Sequence, residues 1–276
     1  MNVAQVDDAA VFLERVQSLD EARNNLLLGL AATIVVDPGF YAEKRLWVVE
    51  NDGRVVGAAL RTPPYNLVLG EVADEHAIAA LVDALRHEDL PGVVGLVPSV
   101  DVFARLWSDQ EPILAMGQGV YALERVADVP RPAGAARIAD RSDRDVAFAW
   151  WDAFVTEAVG DDDAPVAERA EHNVDGRLEG TSRGLWLWEV EGVPMSMAGW
   201  GGETPNGIRI GPVYTPPELR GRGFATALVA ELSQWVLDRG RRFCFLYTDL
   251  ANPTSNKIYE RIGYVRIAES RRLTFA

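Results

Sequence analysis

An ordered pattern that occurs twice constrains this chain more than any other feature. Leu46-Trp47-Val48-Val49-Glu50, Asn51-Asp52-Gly53 and Val55-Val56-Gly57-Ala58-Ala59 read as strand, tight turn and strand. Apolar strand formers there flank a short polar break that carries glycine. Leu185-Trp186-Leu187-Trp188-Glu189, Val190-Glu191-Gly192 and Met195-Ser196-Met197-Ala198-Gly199 repeat the series. A third strand follows in each half, ending in Gly70-Glu71-Val72 and in Gly211-Pro212-Val213. Each half then reads as helix, apolar strand (Val93 to Val97; Phe243 to Tyr247) and second helix. One such match is within chance, whereas the ordered series is better explained by duplication.

The segment Ala127-Asp128-Val129-Pro130-Arg131-Pro132-Ala133-Gly134-Ala135 is rich in Pro, Gly and Ala and has no hydrophobic period, as expected of a linker. It separates a domain of residues 1–126 from one of residues 136–276, and 276 residues are enough for both. One loop distinguishes the halves. Thr215-Pro216-Pro217-Glu218-Leu219-Arg220-Gly221-Arg222-Gly223 precedes a helix in the second half, where the first has only Ala73-Asp74-Glu75 before a helix starting near His76. A glycine-bearing loop that enters a helix attracts anions, because free backbone N–H groups and the helix dipole converge there. If one half holds a phosphorylated cofactor, it is the second.

The strand Ile208 to Tyr214 runs into Pro216-Pro217, and neither proline can donate to a sheet ladder. Arg220-Gly221-Arg222-Gly223-Phe224-Ala225-Thr226 follows, and Leu228, Val229, Leu232, Trp235 and Val236 then recur at helical spacing. Glycine lets the backbone approach diphosphate oxygens with no Cβ in the way. Arg220, Gly223 and Ala225 match the R/Q-x-x-G-x-G/A signature, and here the sequence resembles the GNAT superfamily of N-acetyltransferases. A second family motif, Asn252-Pro253-Thr254-Ser255-Asn256-Lys257-Ile258-Tyr259-Glu260-Arg261-Ile262-Gly263-Tyr264, follows the strand Phe243 to Asp249. The resemblance covers about Ala136 to Ala276, and the first half resembles the fold without the motif. It implies an α/β chain of two tandem GNAT-like domains, each a mixed, mostly antiparallel twisted sheet flanked by helices. Ile208 to Asp249 would supply the parallel crossover, with a cofactor cleft where two central strands part.

The resemblance further implies acetyl-CoA as cosubstrate and direct acetyl transfer to a primary amine of a small molecule or peptide, while a single cysteine and the well-separated His76, His87 and His172 point to no metal. The amides of Arg220, Gly221, Arg222, Gly223, Phe224, Ala225 and Thr226 would hold the diphosphate. The backbones of Val213, Tyr214 and Thr215 would pair with the pantetheine arm, and the Val213 N–H would polarise the thioester carbonyl. Asn252 and Ser255 would contact the pantetheine or its phosphates. Tyr259 would lie near sulfur and protonate the departing thiolate, a role that suits a phenol neutral at pH 7.

The family's strand glutamate, which deprotonates the amine, is absent: Arg209 stands at its position and cannot act as a base near neutrality. Glu203 is the substitute assigned to catalysis, with His172 and the run Asp161-Asp162-Asp163 as others. The missing glutamate and the silent first half also suit a non-catalytic acyl-CoA sensor or interaction module. A nucleotide-binding loop at Arg220 to Ala225 is the weakest alternative, because neither G-x-G-x-x-G nor G-x-x-x-x-G-K-[ST] occurs. The formal charge of −14 argues against nucleic acid as a partner and favours a cationic acceptor. No apolar run is long enough for a bilayer, and Met1 to Ala10 has no basic residue, so a cytoplasmic protein away from membranes is expected. The lone Cys244 excludes an internal disulfide. The first domain is expected to wall the acceptor cleft or to form an oligomer surface, for instance of a homodimer.

Overall fold

The computed structural model describes residues 1–158 and 170–275. The run Asp161-Asp162-Asp163 lies outside them. The chain divides into two compact units, one of residues 1–120, 248–251 and 266 onward, the other of residues 121–247 and 252–265.

The first unit contains β1 (Asn2–Gln5), α1 (Ala9–Val16), α2 (Asn25–Val36), β2 (Arg45–Asn51), β3 (Arg54–Arg61), β4 (Leu67–Leu69), α3 (Glu75–Ala84), β5 (Gly92–Leu96), α4 (Ser99–Trp107) and most of β6 (Ile113–Leu123). The chain's last strand, β12 (Val265–Thr274), also belongs here, and the strand order is β1-β2-β3-β4-β5-β12-β6. Residues 266–276, assigned above to the second domain, therefore complete the first. Ser270 to Thr274 pair antiparallel with Gly92 to Leu96, and Leu273 is buried among the first unit's apolar residues. Along β2 the side chains alternate between two cores, as a pleat requires. Leu46 and Val48 pack with Phe12 and Leu27, while Trp47 and Val49 pack with Ile78, Leu81 and Phe103. The β2–β3 turn is Asp52-Gly53 with φ of 49° and 75°, left-handed at both positions as a two-residue hairpin demands.

The second unit contains β7 (Ala135–Ile138), a 3-10 turn (Arg141–Asp143), α5 (Arg144–Ala158), α6 (Ala170–Leu178), β8 (Gly184–Val190), β9 (Val193–Gly201), β10 (Gly207–Tyr214), a second 3-10 turn (Pro217–Leu219), α7 (Phe224–Asp238), β11 (Phe243–Asp249) and α8 (Pro253–Ile262). The strand order is β11-β10-β9-β8-β7, antiparallel except for the β10–β11 pair that α7 bridges. Its β8–β9 turn, Glu191-Gly192, repeats the left-handed pair with φ of 50° and 81°. Trp186 and Trp188 share the face covered by α7, whereas Leu185 and Leu187 face α5 and α6 with Trp151, Val174 and Tyr214. The start of α5 is fixed by Asp143, whose carboxylate accepts two hydrogen bonds from Arg137 at 2.7 and 2.8 Å and one from the Asp140 N–H at 2.9 Å. Among the described residues no helix is long and apolar enough to cross a membrane.

Candidate functional site

In the second unit β10 and β11 part company. Their parallel register runs from Gly207↔Phe243 to Arg209↔Phe245, yet β10 continues to Tyr214 and β11 to Asp249. On its other side β10 pairs with β9 at Ile210↔Trp200 and again at Val213↔Ala198, so Gly211-Pro212 bulge opposite Gly199. A bulge bends its strand, and a Cβ on Gly199 would meet the Gly211 carbonyl oxygen at 2.7 Å. Val213, Tyr214 and Thr215 thus emerge where the two strands have separated.

The glycine loop lies after this strand end. Gly221 and Gly223 have φ of 76° and 86°, a left-handed conformation that costs an L-residue about 1–2 kcal/mol. Gly223 caps α7 without a side-chain partner for the helix amides, and the first intrahelical bond runs from Ala227 N–H to Gly223 O at 3.0 Å. Helix geometry therefore leaves the amides of Phe224, Ala225 and Thr226 without intrahelical acceptors. Around the Gly223 Cβ position the nearest atoms are the Pro132 ring carbons at 4.0 Å, so the surface there is open.

Arg220 differs from its expected role. Its N–H closes the second 3-10 turn on Pro217 O at 3.3 Å, which removes it from the amides open to a ligand. Its guanidinium turns towards α5, with Nε on Thr215 O at 2.8 Å and Nη2 on Glu157 Oε2 at 2.6 Å. The Tyr214 hydroxyl donates to the same carboxylate, at Oε1 and 3.3 Å, and the Trp150 ring lies 6.3 Å from the Tyr214 ring. Glu157 is the polar residue that sequence reasoning missed. It sits two helical turns after Trp150 and 63 positions before Arg220, and no local spacing signals such a pairing.

Tyr259, on α8, packs half-buried against the α7-side core and meets Tyr264 edge-on at 6.1 Å. Burial pushes its phenol up to about 12, so the hydroxyl keeps its proton at neutral pH. Asn252 caps α8, its Oδ1 accepting the Ser255 N–H at 3.1 Å, so the side-chain oxygen and that amide already serve the helix. Cys244 is fully buried on β11, and desolvation raises its thiol to about 12, as befits an inert structural thiol.

Glu203 does not join this group. It precedes β10, at the end opposite the splay, and forms an ion pair with Arg241 at 2.8 Å. Seven residue steps separate Gly207 from Tyr214, up to about 23 Å of strand, so Glu203 and Tyr214 stand at opposite ends of β10. Arg209 occupies the last paired register before the strands separate, and Arg177 feels the charges of both Arg183 and Arg209. Burial, followed by those two guanidinium groups, lowers Arg177 to about 9. His172 lies on α6 at an exposed position.

The corresponding place in the first unit is closed. The pairing of β4 with β5 lasts to the end of β4, at Leu69↔Gly95. Beyond it the Val72 N–H donates to Ser99 Oγ at 3.1 Å, the Ser99 hydroxyl donates to Val72 O at 2.9 Å, and the Glu71 N–H donates to Asn24 Oδ1 at 2.9 Å. Side chains of the same unit therefore take the strand-end groups whose counterparts follow the splay in the second.

Three kinds of likeness bear on this geometry. The family model described as FR47-like protein matches residues 190–273, a span that includes β10, the glycine loop, β11 and α8. An uncharacterised N-acetyltransferase of Methanocaldococcus jannaschii is 28% identical over 87 residues, 29% of this chain and 38% of that protein. The chain thus spans well under half of the length of that curated relative. Among solved structures, an acetyltransferase from the GNAT family of Colwellia psychrerythraea superposes with a TM-score of 0.60 at 12% identity, covering 100% of both chains. A tandem GNAT protein from the clavulanic acid biosynthesis pathway superposes with a TM-score of 0.57 at 14% identity, covering 99% of this chain and 98% of that one.

Proposed function

From the premise that this chain has the GNAT fold, we propose that it is an acetyl-CoA-dependent N-acetyltransferase whose second unit transfers acetyl directly to a primary amine. The observation that carries this reading is the left-handed Gly223 cap, open at the Cβ position, beside a strand pair that separates at Arg209. Acetyl-CoA would supply an activated thioester on a long arm ending in phosphates. The amides of Gly221 to Thr226 are the groups to bind the diphosphate, since the cap and the helix dipole both favour anions. Arg220 contributes by bracing the loop against α5. Val213 to Thr215, freed from β11, have strand backbone to offer an extended ligand, and an N–H aimed in advance at the thioester oxygen stabilises the developing oxyanion. Tyr259 keeps a proton for the leaving sulfur because its surroundings hold the phenol neutral.

Binding without turnover is the second reading, favoured by Arg209 where the family has a base. Calorimetric titration of acetyl-CoA into wild type and Gly223→Glu separates the readings, with thermal unfolding checking that the variant folds. Binding to wild type that is lost in a folded variant is expected, because the new carboxylate sits at the diphosphate position. Acetylation of an amine then supports the enzyme, and its absence across a broad panel supports the sensor. A wild type that binds no acetyl-CoA refutes both.

A further inference from the structure

We infer that Glu157 is the carboxylate that takes the acceptor amine's proton, in place of the absent strand glutamate. This rests on the transferase reading above. Tyr214 immediately follows Val213 and faces α5, and its hydroxyl donates to Glu157 Oε1 at 3.3 Å. The Glu157 carboxylate is therefore held on the α5 side of the strand end that leaves the sheet. Arg220 fixes the other oxygen at 2.6 Å and is itself anchored on Thr215 O. A carboxylate offers about four lone-pair directions, and Tyr214 and Arg220 occupy one on each oxygen. Among the described residues Glu157 has no other hydrogen-bond partner, and 44% of its side chain is exposed and can meet an alkylammonium group. Trp150, one ring away across Tyr214, adds an apolar surface for the acceptor's carbon chain.

An alkylammonium ion cannot attack a thioester until it has lost a proton. One N–H bond breaks, its electron pair remains on nitrogen, and the proton forms an O–H bond on Glu157. Nitrogen then bonds to the acyl carbon, and the C–S electron pair leaves with sulfur, which takes the Tyr259 proton. The second proton shed by nitrogen restores the Tyr259 phenol through solvent, and Glu157 releases its own to solvent. Glu157 is a catalytic residue in this account, while Tyr214 and Arg220 are positioning residues.

The test compares wild type with Glu157→Gln, using acetyl-CoA for calorimetry and spermidine, kanamycin and glycyl-lysine as acceptors. Glu157→Gln is expected to bind acetyl-CoA within about twofold of wild type and to lose about a hundredfold or more in turnover at pH 7, within the range of general base catalysis. The deficit should narrow as pH rises towards about 10, where a lysine-like amine sheds its proton unaided. Among the described residues, the groups that face Glu157 are the Tyr214 phenol and the Arg220 guanidinium, with Glu218 also acting on Tyr214. Burial, then Glu157, keeps Tyr214 above its usual range. Turnover within about threefold of wild type at pH 7 overturns the assignment. So does a deficit that is constant with pH and accompanied by weaker acetyl-CoA binding, which marks a structural brace. A wild type that binds acetyl-CoA but acetylates none of these amines removes Glu157 as base and leaves the cofactor site standing. A wild type that binds no acetyl-CoA ends the transferase reading itself.

Discussion

A phenol held to about 12 by burial, as at Tyr259, donates hydrogen bonds but does not ionise at any ordinary pH. Removing only its oxygen separates chemistry from packing. Tyr259→Phe keeps the ring against Tyr264 and the α7-side core, so acetyl-CoA affinity should change by no more than about twofold while turnover falls at least about a hundredfold. Calorimetry and steady-state rates on one preparation check this, and equal rates would make Tyr259 a packing residue. Residues of this kind differ in how well the sequence exposes them. Arg220, Gly223 and Tyr259 were legible because each belongs to a short motif with fixed spacing. The direction of the Arg220 side chain was not, since it depends on a glutamate 63 positions earlier. The place of Glu203 was hidden for a related reason: residues close in sequence can lie at opposite ends of a strand, and Glu203 precedes β10 whereas Tyr214 ends it.

At the scale of elements, the two halves share a plan and differ in what fills the strand end. Both β-hairpins were legible, because Gly53 and Gly192 each supply a left-handed position that their two-residue turns need. The closed strand end of the first unit was not, because it rests on Ser99, a residue with no local pattern. Ser99 is 2% exposed and answers both the N–H and the carbonyl of Val72. Ser99→Ala leaves two buried backbone groups unpaired, which should destabilise the protein by about 1–3 kcal/mol for each group that finds no water. Urea unfolding measures this, and a loss below about 0.5 kcal/mol would show that the serine is dispensable. The splay of β10 from β11 was foreseen only as part of the family resemblance. The bulge at Gly211-Pro212 now gives it a local cause.

At the scale of the molecule, the duplication read from the sequence corresponds to two units of like plan, and the resemblance to the GNAT fold is borne out over the whole chain. What the sequence concealed is where the last strand goes. Its apolar residues suit any sheet edge, and pairing partners that lie 174 to 182 positions apart leave no mark on local periodicity. Deleting residues 266–276 should therefore damage the first unit, although the cut lies at the far terminus. Hydrogen exchange in β5, from Val93 to Leu96, is the measure, since those residues pair with Leu273, Arg272, Arg271 and Ser270. Amides there should lose protection, and undiminished protection would show that β12 is ornamental. The same strand sets an order of events on the ribosome. The first unit is made first but lacks a strand until residues 121–265 have been added, an interval of roughly 7–30 s at ordinary rates of synthesis. A chain that terminates early therefore leaves the ribosome with its oldest part still open, and its β5 edge exposed to whatever else is being made nearby.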